Sequence, residues 1–362
     1  MNELVNTIFY LCYGSLFFYS LYFYNEESPS IYQRVIFSIY SYGLILFSIF
    51  RPMGAMRDDR AYSDTFEYLC ELERCQFDIF TRDSLWYFFV WIGKSIANDH
   101  VMLLLLSGIA LFIKLFVVYK LCNKLMLALF FYVGIFYQLH DLTQLRLSLA
   151  VSFLMLFFYY YLKPGGEKAS FIFLMASWLA HTQAVLGAAL LLHRVWTFNY
   201  YYFVFLCVIF LTLMTVGLHP NLEVLSNSVT YLIGDSFLYD SIYMYIERAY
   251  KGFYLQHMVV PIIFYLSIAA YILLINDVQH KNLKLASISS FSLLCGLSLA
   301  FLFTSISDVQ VRMYEYFSIV GVLLAGNTLK ANSFWIASGL SFLYFSKYNI
   351  FWSIWDFSSI SL

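Results

Sequence analysis

Long apolar runs separated by short polar punctuation fill this chain, at residues 3–24, 33–50, 101–121, 125–139, 144–162, 169–182, 183–193, 199–218, 257–275, 285–305, 312–329 and 333–346. A hydrocarbon layer of about 30 Å takes about 20 helical residues to cross. Helices also satisfy their own backbone where no water can. The pattern predicts an all-α, polytopic helical membrane protein with roughly 12 transmembrane helices in a single integral membrane domain covering residues 1–362. The run 183–193 is short for a crossing, and the "KPGG" of residues 163–166 predicts a tight turn between two helices. Residues 84–97, "SLWYFFVWIGKSIA", are apolar but short as well. Counted as a crossing, they put the loop 51–83 and Arg146 on opposite faces, so a re-entrant or interfacial helix is the preferred reading. Arg51, Arg57, Arg60, Arg74 and Arg82 argue the other way, since basic loops favour the cytoplasm.

Composition sharpens the class. Of 362 residues 62% are hydrophobic and only 12% charged, about half the charge of an average soluble domain, which excludes a water-soluble globule. The formal charge of −1 carries no information about partners, because charge acts through its distribution between the two faces. Lys120 and Lys124, Lys163 and Lys168, Arg194, Lys281 and Lys284, and Lys330 fall on alternate loops. That face is expected to be cytoplasmic, and the other carries the loops 51–100 and 219–256 with the ends of the helices bearing Arg146, His181 and Arg312. The N-terminus has Glu3, no basic region and no small-residue cleavage site, which predicts an uncleaved first span. Cys70 and Cys75 share a loop and would form a disulfide only in an oxidising compartment; the other four cysteines lie in or beside apolar runs and read as packing.

The chemistry sits at the ends of the apolar runs. In "DLTQLRLSLAVSFLMLFFYYY" (141–161) a permanent cation, Arg146, stands near the front edge of a helix. In hydrocarbon a guanidinium costs at least about 2.5–3.5 kcal/mol and cannot shed its proton, so a partner or a ligand must hold it. The bland account is that Asp141 or a neighbouring helix's carboxylate does so, with Tyr137, Gln138, His140 and Gln144 gathered at the same outer helix end. Asp58, Tyr62 and Phe66 recur every four residues and share a helical stripe in a loop that also holds Arg51, Arg57, Asp59, Arg60 and Asp64. His181 lies between two apolar runs, where a lone histidine is commonly a packing residue, and Arg312 has a local partner in Glu315. Tyr243 and the other tyrosines of the loop 219–256 suit either sugar stacking or the lipid headgroup belt. No GxxxxGK[ST], HExxH, paired CxxC or GxSxG is present, so nothing points to ATP hydrolysis, structural zinc, a hydrolase serine or nucleic acid.

Taken in order, "RPMGAMRDDRAYSDTF", "QLRLSLAVSFLML", "SWLAHTQAVL" and "VRMYEYF" resemble the EpsG family, which is similar to the Wzy polymerases of O-antigen, capsule and exopolysaccharide. The family usually reads Arg-Gln at the second motif, whereas here Leu147 follows Arg146 and Gln144 precedes it. Met56 and Arg57 replace the family's Gly-Thr, which leaves both Asp58 and Asp59 open as the acidic residue. The resemblance implies transfer of a glycan from an undecaprenyl-diphosphate-linked oligosaccharide donor to a lipid-linked acceptor on the outer face of the bacterial inner membrane. It implies no cofactor, assigns no metal-ligating residue while leaving a divalent-metal requirement open, and allows a chain-length regulator protein as a further partner. The expected catalytic residues are Asp58, Asp59 and His181, and the expected binding residues Arg51, Arg57, Tyr62, Gln144, Arg146, Arg312 and Tyr243. Arginine forks suit a diphosphate arriving at headgroup level. A transporter of lipid-linked glycan and a membrane glycan acyltransferase are the competing classes.

Overall fold

The computed structural model describes residues 2–51, 59, 62–63, 83–96, 101–194, 200–215, 256–280, 282–302 and 307–346. All the regular structure among the described residues is helical. In chain order come α1 (Asn2–Tyr22), α2 (Ile31–Phe50), α3 (Ser84–Ile96), α4 (Val101–Leu121) and α5 (Leu125–Tyr132), which continues as a π-helix over Val133–Thr143. There follow α6 (Leu145–Leu162), α7 (Glu167–Ala180), a 3₁₀ helix (Thr182–Arg194), α8 (Tyr200–Thr215) and α9 (Gln256–Val278). The last are α10 (Leu283–Leu302), α11 (Ser307–Ser318), α12 (Val320–Ala325) and α13 (Ala331–Ser346). They group into two compact units, Met1–Ala188 with Ile319–Leu362, and Ala189–Ser318.

Against the expected twelve crossings, five of the described helices are long and apolar enough to span a membrane: Ile31–Phe50, Leu104–Leu121, Leu125–Thr143, Leu145–Leu162 and Leu283–Leu302. Shorter apolar helices cover Ala184–His193, Tyr200–Leu213 and Tyr265–Val278. Which way the side chains point fits a lipid solvent. Helix α2 turns Gln33, Ser41 and Ser48 inward with Phe37, while Ile31, Tyr32, Ile39, Tyr42 and Phe50 face out. A soluble helix does the reverse; small and polar residues form the helix contacts when the surroundings are as apolar as leucine. Accordingly the Ser177 hydroxyl of α7 donates to the Ala150 carbonyl of α6 at 2.7 Å, and Ser48 and Ser107 join α2 to α4 at 2.6 Å.

In the first unit every residue from Leu125 to Thr143 is buried, so α5 and its π-helical extension form the axis of the bundle. The sequence reading ended this helix at 139 and put Tyr137, Gln138, His140 and Asp141 at an outer end; all four are instead buried inside the continuing helix. The reason is electrostatic. Lys114, midway along α4, donates to the Asp141 carboxylate and to Ser148 Oγ at 2.8 Å, and the hydroxyls of Tyr132 and Ser148 donate to the same carboxylate. A carboxylate so enclosed no longer needs water, and the helix proceeds. The π turns widen the helix locally, and Thr143 Oγ1 closes back on the Gln138 carbonyl at 3.0 Å.

Contacts along the helices fix their directions. Phe37 meets Tyr119 while Ser48 meets Ser107, so α2 and α4 are antiparallel. Lys114 reaches Ser148 and Phe116 meets Tyr159, so α4 and α6 run the same way, and α7 returns against α6 with Phe173 beside Tyr160. Arg51, Asp83, Gln144, Arg146 and His181 therefore belong to one end of the unit. The other end gathers Lys120, Lys124 and the 163–166 turn, with Lys124 N–H bonded to the Gly326 carbonyl at 2.8 Å. That turn forms as expected: Gly165 adopts φ +71°, and a Cβ on Gly166 would collide with the Tyr160 carbonyl oxygen.

The short run 183–193 also finds a structural explanation. As a 3₁₀ helix it rises about 2.0 Å per residue, against about 1.5 Å for an α-helix. Its thirteen residues span about 26 Å, much of the hydrocarbon thickness. In the second unit α10 packs against α8 and α11, with the Ser292 hydroxyl donating to the Phe317 carbonyl at 2.9 Å and His193 Nε2 lying 2.8 Å from Ser287 Oγ.

Candidate functional site

Three side chains meet at the Arg146 end of the first unit because three helices begin or end there. Arg146 is the second residue of α6, His181 caps the C-terminus of α7, and Asp83 immediately precedes α3. Asp83 has φ +56°, the left-handed region that L-residues avoid and that aspartate tolerates better than most. Its carbonyl accepts the Tyr87 N–H at 3.1 Å, starting α3, and its carboxylate is wholly buried. His181 is extended (φ −152°, ψ 124°), its N–H bonded to the Ser177 carbonyl at 3.2 Å and its own carbonyl accepting from Ala184 at 2.8 Å. Both backbones are thus held before any side chain is considered.

One carboxylate is bonded to Arg146 and lies near His181. Arg146 Nη1 donates to Asp83 Oδ2 at 2.9 Å, and His181 Nδ1 lies 3.4 Å from Asp83 Oδ1. Beside the pair Tyr62 presents its ring to the guanidinium, 5.7 Å from centroid to Cζ, and Tyr62 in turn lies against the buried Trp86 with ring centroids 5.5 Å apart. The Arg146 side chain stays 36% exposed while Asp83 is 0% exposed, so the negative charge is inside and the positive one looks out. A guanidinium has five donors; Arg146 also hydrogen-bonds Tyr62, and with Asp83 and Tyr62 engaged it keeps donors for an anion in the geometry that phosphate oxygens accept.

The sequence placed Arg146, His181 and Tyr62 in the site, and the structure brings them together. It also corrects the account of what neutralises Arg146: Asp141 is committed to Lys114, and the neighbouring carboxylate is Asp83. Gln144 sits at the junction of the π-helix and α6, mostly buried, its N–H bonded to the Leu139 carbonyl at 2.8 Å. Arg51 and Asp59 form a separate, two-pronged ion pair, Arg51 Nη2 lying 2.7 Å from Asp59 Oδ1 with the second bond beside it. Arg51 is 4% exposed and Asp59 0%, a geometry that leaves neither group facing solvent. Arg312 is half-buried on α11 of the second unit. Asp58, Arg57 and Tyr243, like Phe66, Cys70 and Cys75, lie outside the described residues.

Two charged residues escaped the sequence reading. Lys114 was visible as a cation in mid-span of "LLLLSGIALFIKLFVVYK", a position that is expensive unless paired. Asp83 stands with Ser84 before an apolar run, a common way for a helix to start. No three His, Cys, Asp or Glu side chains gather as a metal site among the described residues.

No curated protein and no solved structure matches the chain. The EpsG family model matches residues 34–361, nearly the whole length, taking in every segment that builds the cluster around Asp83. A helical membrane protein whose half-exposed arginine is backed by a buried acid and a histidine thus belongs to the EpsG family, whose members are Wzy-like polymerases.

Proposed function

We propose that this chain polymerises lipid-linked oligosaccharide repeat units, moving a glycan from a polyprenyl diphosphate donor to a lipid-linked acceptor. The observation that carries this is the Arg146 guanidinium, held from behind by Asp83 and open in front. A lipid diphosphate delivers its two phosphates at the membrane surface, where a fixed arginine fork makes short charge-assisted bonds. In the transfer the acceptor hydroxyl gives its proton to His181 Nε2 and its oxygen bonds to the anomeric carbon. The bond from that carbon to the phosphate oxygen breaks, and its electron pair leaves on the diphosphate, where Arg146 stabilises the charge. Asp58 is the other candidate base, and the ion pair of Asp59 with Arg51 favours Asp58 of the two adjacent acids. Arg312, Arg57, Gln144 and Tyr243 are proposed to line the glycan and diphosphate path. The lysines at the 120–124 and 163–168 turns favour the cytoplasm for that end under the positive-inside rule, which supports a site facing outward from a bacterial inner membrane.

Gel electrophoresis of surface polysaccharide from a deletion strain tests the reading. Single repeats in place of a ladder, with the ladder restored by the wild-type gene, is the expected result; an unchanged ladder overturns it. The transporter reading draws on one observation, the Lys114–Asp141 pair in mid-span. Purified protein in vesicles separates the two: movement of lipid-linked glycan without a new glycosidic bond is transport.

A further inference from the structure

At the end of the first unit opposite Arg146, three exposed cations are linked through aromatic rings. Arg34 lies in the first turn of α2; its Cζ stands 5.7 Å from the centre of the Tyr119 ring, and its Nη1 lies 3.5 Å from the Tyr119 hydroxyl. Lys120 Nζ lies 5.6 Å from the centres of both Tyr119 and Phe116, all three in α4. The Phe116 ring meets Tyr159 of α6 edge-on, with ring centres 5.8 Å apart. Lys163, which caps α6, has its Nζ 3.9 Å from the centre of the Tyr159 ring and donates to the Tyr159 hydroxyl. Three helices thus bring one cation each to a single line of rings.

The lysines do not reach away from the membrane as lysines at a helix end ordinarily do. Lys120 follows Phe116 by four positions and Lys163 follows Tyr159 by four, so each ammonium leans back over a ring one turn deeper. The rings hold the cations at the level of the lipid headgroups. Among the described residues Arg34, Lys120 and Lys163 enter no ion pair, so no carboxylate of the protein offsets their charge. From Lys120 toward mid-span the same face of α4 is apolar and open. Phe116, Phe112 and Ile109 are 37%, 59% and 53% exposed and form one stripe at helical spacing. A phosphate ion in water has no use for such a stripe, whereas a lipid does.

We propose that this face binds an anionic phospholipid, with its phosphodiester on Arg34, Lys120 and Lys163 and an acyl chain along Phe116, Phe112 and Ile109. The two free oxygens of the phosphodiester accept from the N–H groups that the rings leave uncovered. Because the rings already order the long cationic side chains, less freedom is lost when the lipid arrives. A zwitterionic headgroup brings a cation of its own to three others, and that repulsion selects for net negative lipids. The site stands apart from the polymerase reading and needs only a membrane surface at this end of the unit.

The test is native mass spectrometry of the detergent-solubilised full-length protein, titrated with dioleoyl phosphatidylglycerol and, separately, dioleoyl phosphatidylcholine. Wild type is expected to bind the first more tightly. Arg34→Gln, Lys120→Gln and Lys163→Gln should each weaken that binding about fivefold, the worth of one basic residue near an anionic lipid surface, and the triple variant more than tenfold. Lys168 is exposed at the same end but makes no cation–π contact with these rings, so Lys168→Gln should change nothing. Glycerol phosphate, which has the phosphate without the acyl chains, should not displace the lipid at equal concentration. Equal binding of the two lipids overturns the proposal. An equal loss in Lys168→Gln overturns it by showing a diffuse surface charge, and displacement by glycerol phosphate by showing a site for a soluble anion. The substituted side chains are exposed, so the variants should elute from gel filtration as wild type does; if the triple variant does not, the single ones decide.

Discussion

At the scale of single residues the molecule separates two kinds of buried charge. The Lys114–Asp141 pair is closed, since Tyr132 and Ser148 fill the remaining sites on the carboxylate and all four side chains are inaccessible. The Arg146–Asp83 pair is open, with over a third of the arginine side chain accessible. On the proposed function the first serves stability and the second a ligand, and substitutions should divide accordingly. Lys114→Met strands a carboxylate and should destabilise the detergent-solubilised protein by about 3–5 kcal/mol in an unfolding titration. Lys114→Met with Asp141→Asn should recover most of that loss, because no charge is stranded, the amide oxygen accepts from one of the two hydroxyls and the amide NH₂ donates to the oxygen of the other. Arg146→Ala leaves the buried Asp83 carboxylate without its guanidinium, at a cost of about 1–3 kcal/mol, and should lower polymer formation about 10²–10³-fold, the loss typical of one donor to a developing anion. Arg146→Lys should recover only part, for an ammonium cannot form the planar fork. The sequence made Arg146 legible because a cation at the edge of an apolar run has to be explained. It did not make Asp83 legible as the partner, because 63 residues separate the two and only the fold brings α3 back to α6.

Among the elements, the axial helix governs how closely its neighbours approach. Gly134 lies against α1 and α13, where a Cβ would sit 2.6 Å from the Tyr13 hydroxyl and 2.8 Å from the Ser341 carbonyl oxygen. Tyr13 and Ser341 are themselves hydrogen-bonded at 2.7 Å, and Ser341 donates to the Phe130 carbonyl at 3.0 Å. Gly134→Ala should therefore part these three helices and destabilise the first unit by about 1–3 kcal/mol, measured by unfolding, the usual cost of overpacking. Apolar length was a sound guide to most helix positions, and the Pro-Gly turn at 163–166 formed where expected. Hydropathy failed where the helix type changed. A π-helix that buries Gln138, His140 and Asp141 reads as the polar end of a span until Lys114 is known to be beside it, and a 3₁₀ helix reads as too short because its greater rise per residue leaves no mark in composition.

For the whole molecule, Asp83, Arg146 and His181 belong to one end of the first unit, and Lys120, Lys124, Lys163 and Lys168 to the other. The expected topology follows: Lys168→Cys, at an exposed position, should react with a membrane-impermeant thiol reagent only when the cytoplasmic side is open to it. Reaction in intact cells would reverse the orientation and move Arg146 to the cytosol. The most direct test of the central claim is a reconstitution with purified protein and polyprenyl-diphosphate-linked repeat units, read as product length on a gel. A ladder of lengthening glycans with wild type and single repeats with Arg146→Ala is the predicted result. Equal ladders from the two proteins, or no ladder from a folded wild type given its own repeat unit, would contradict it.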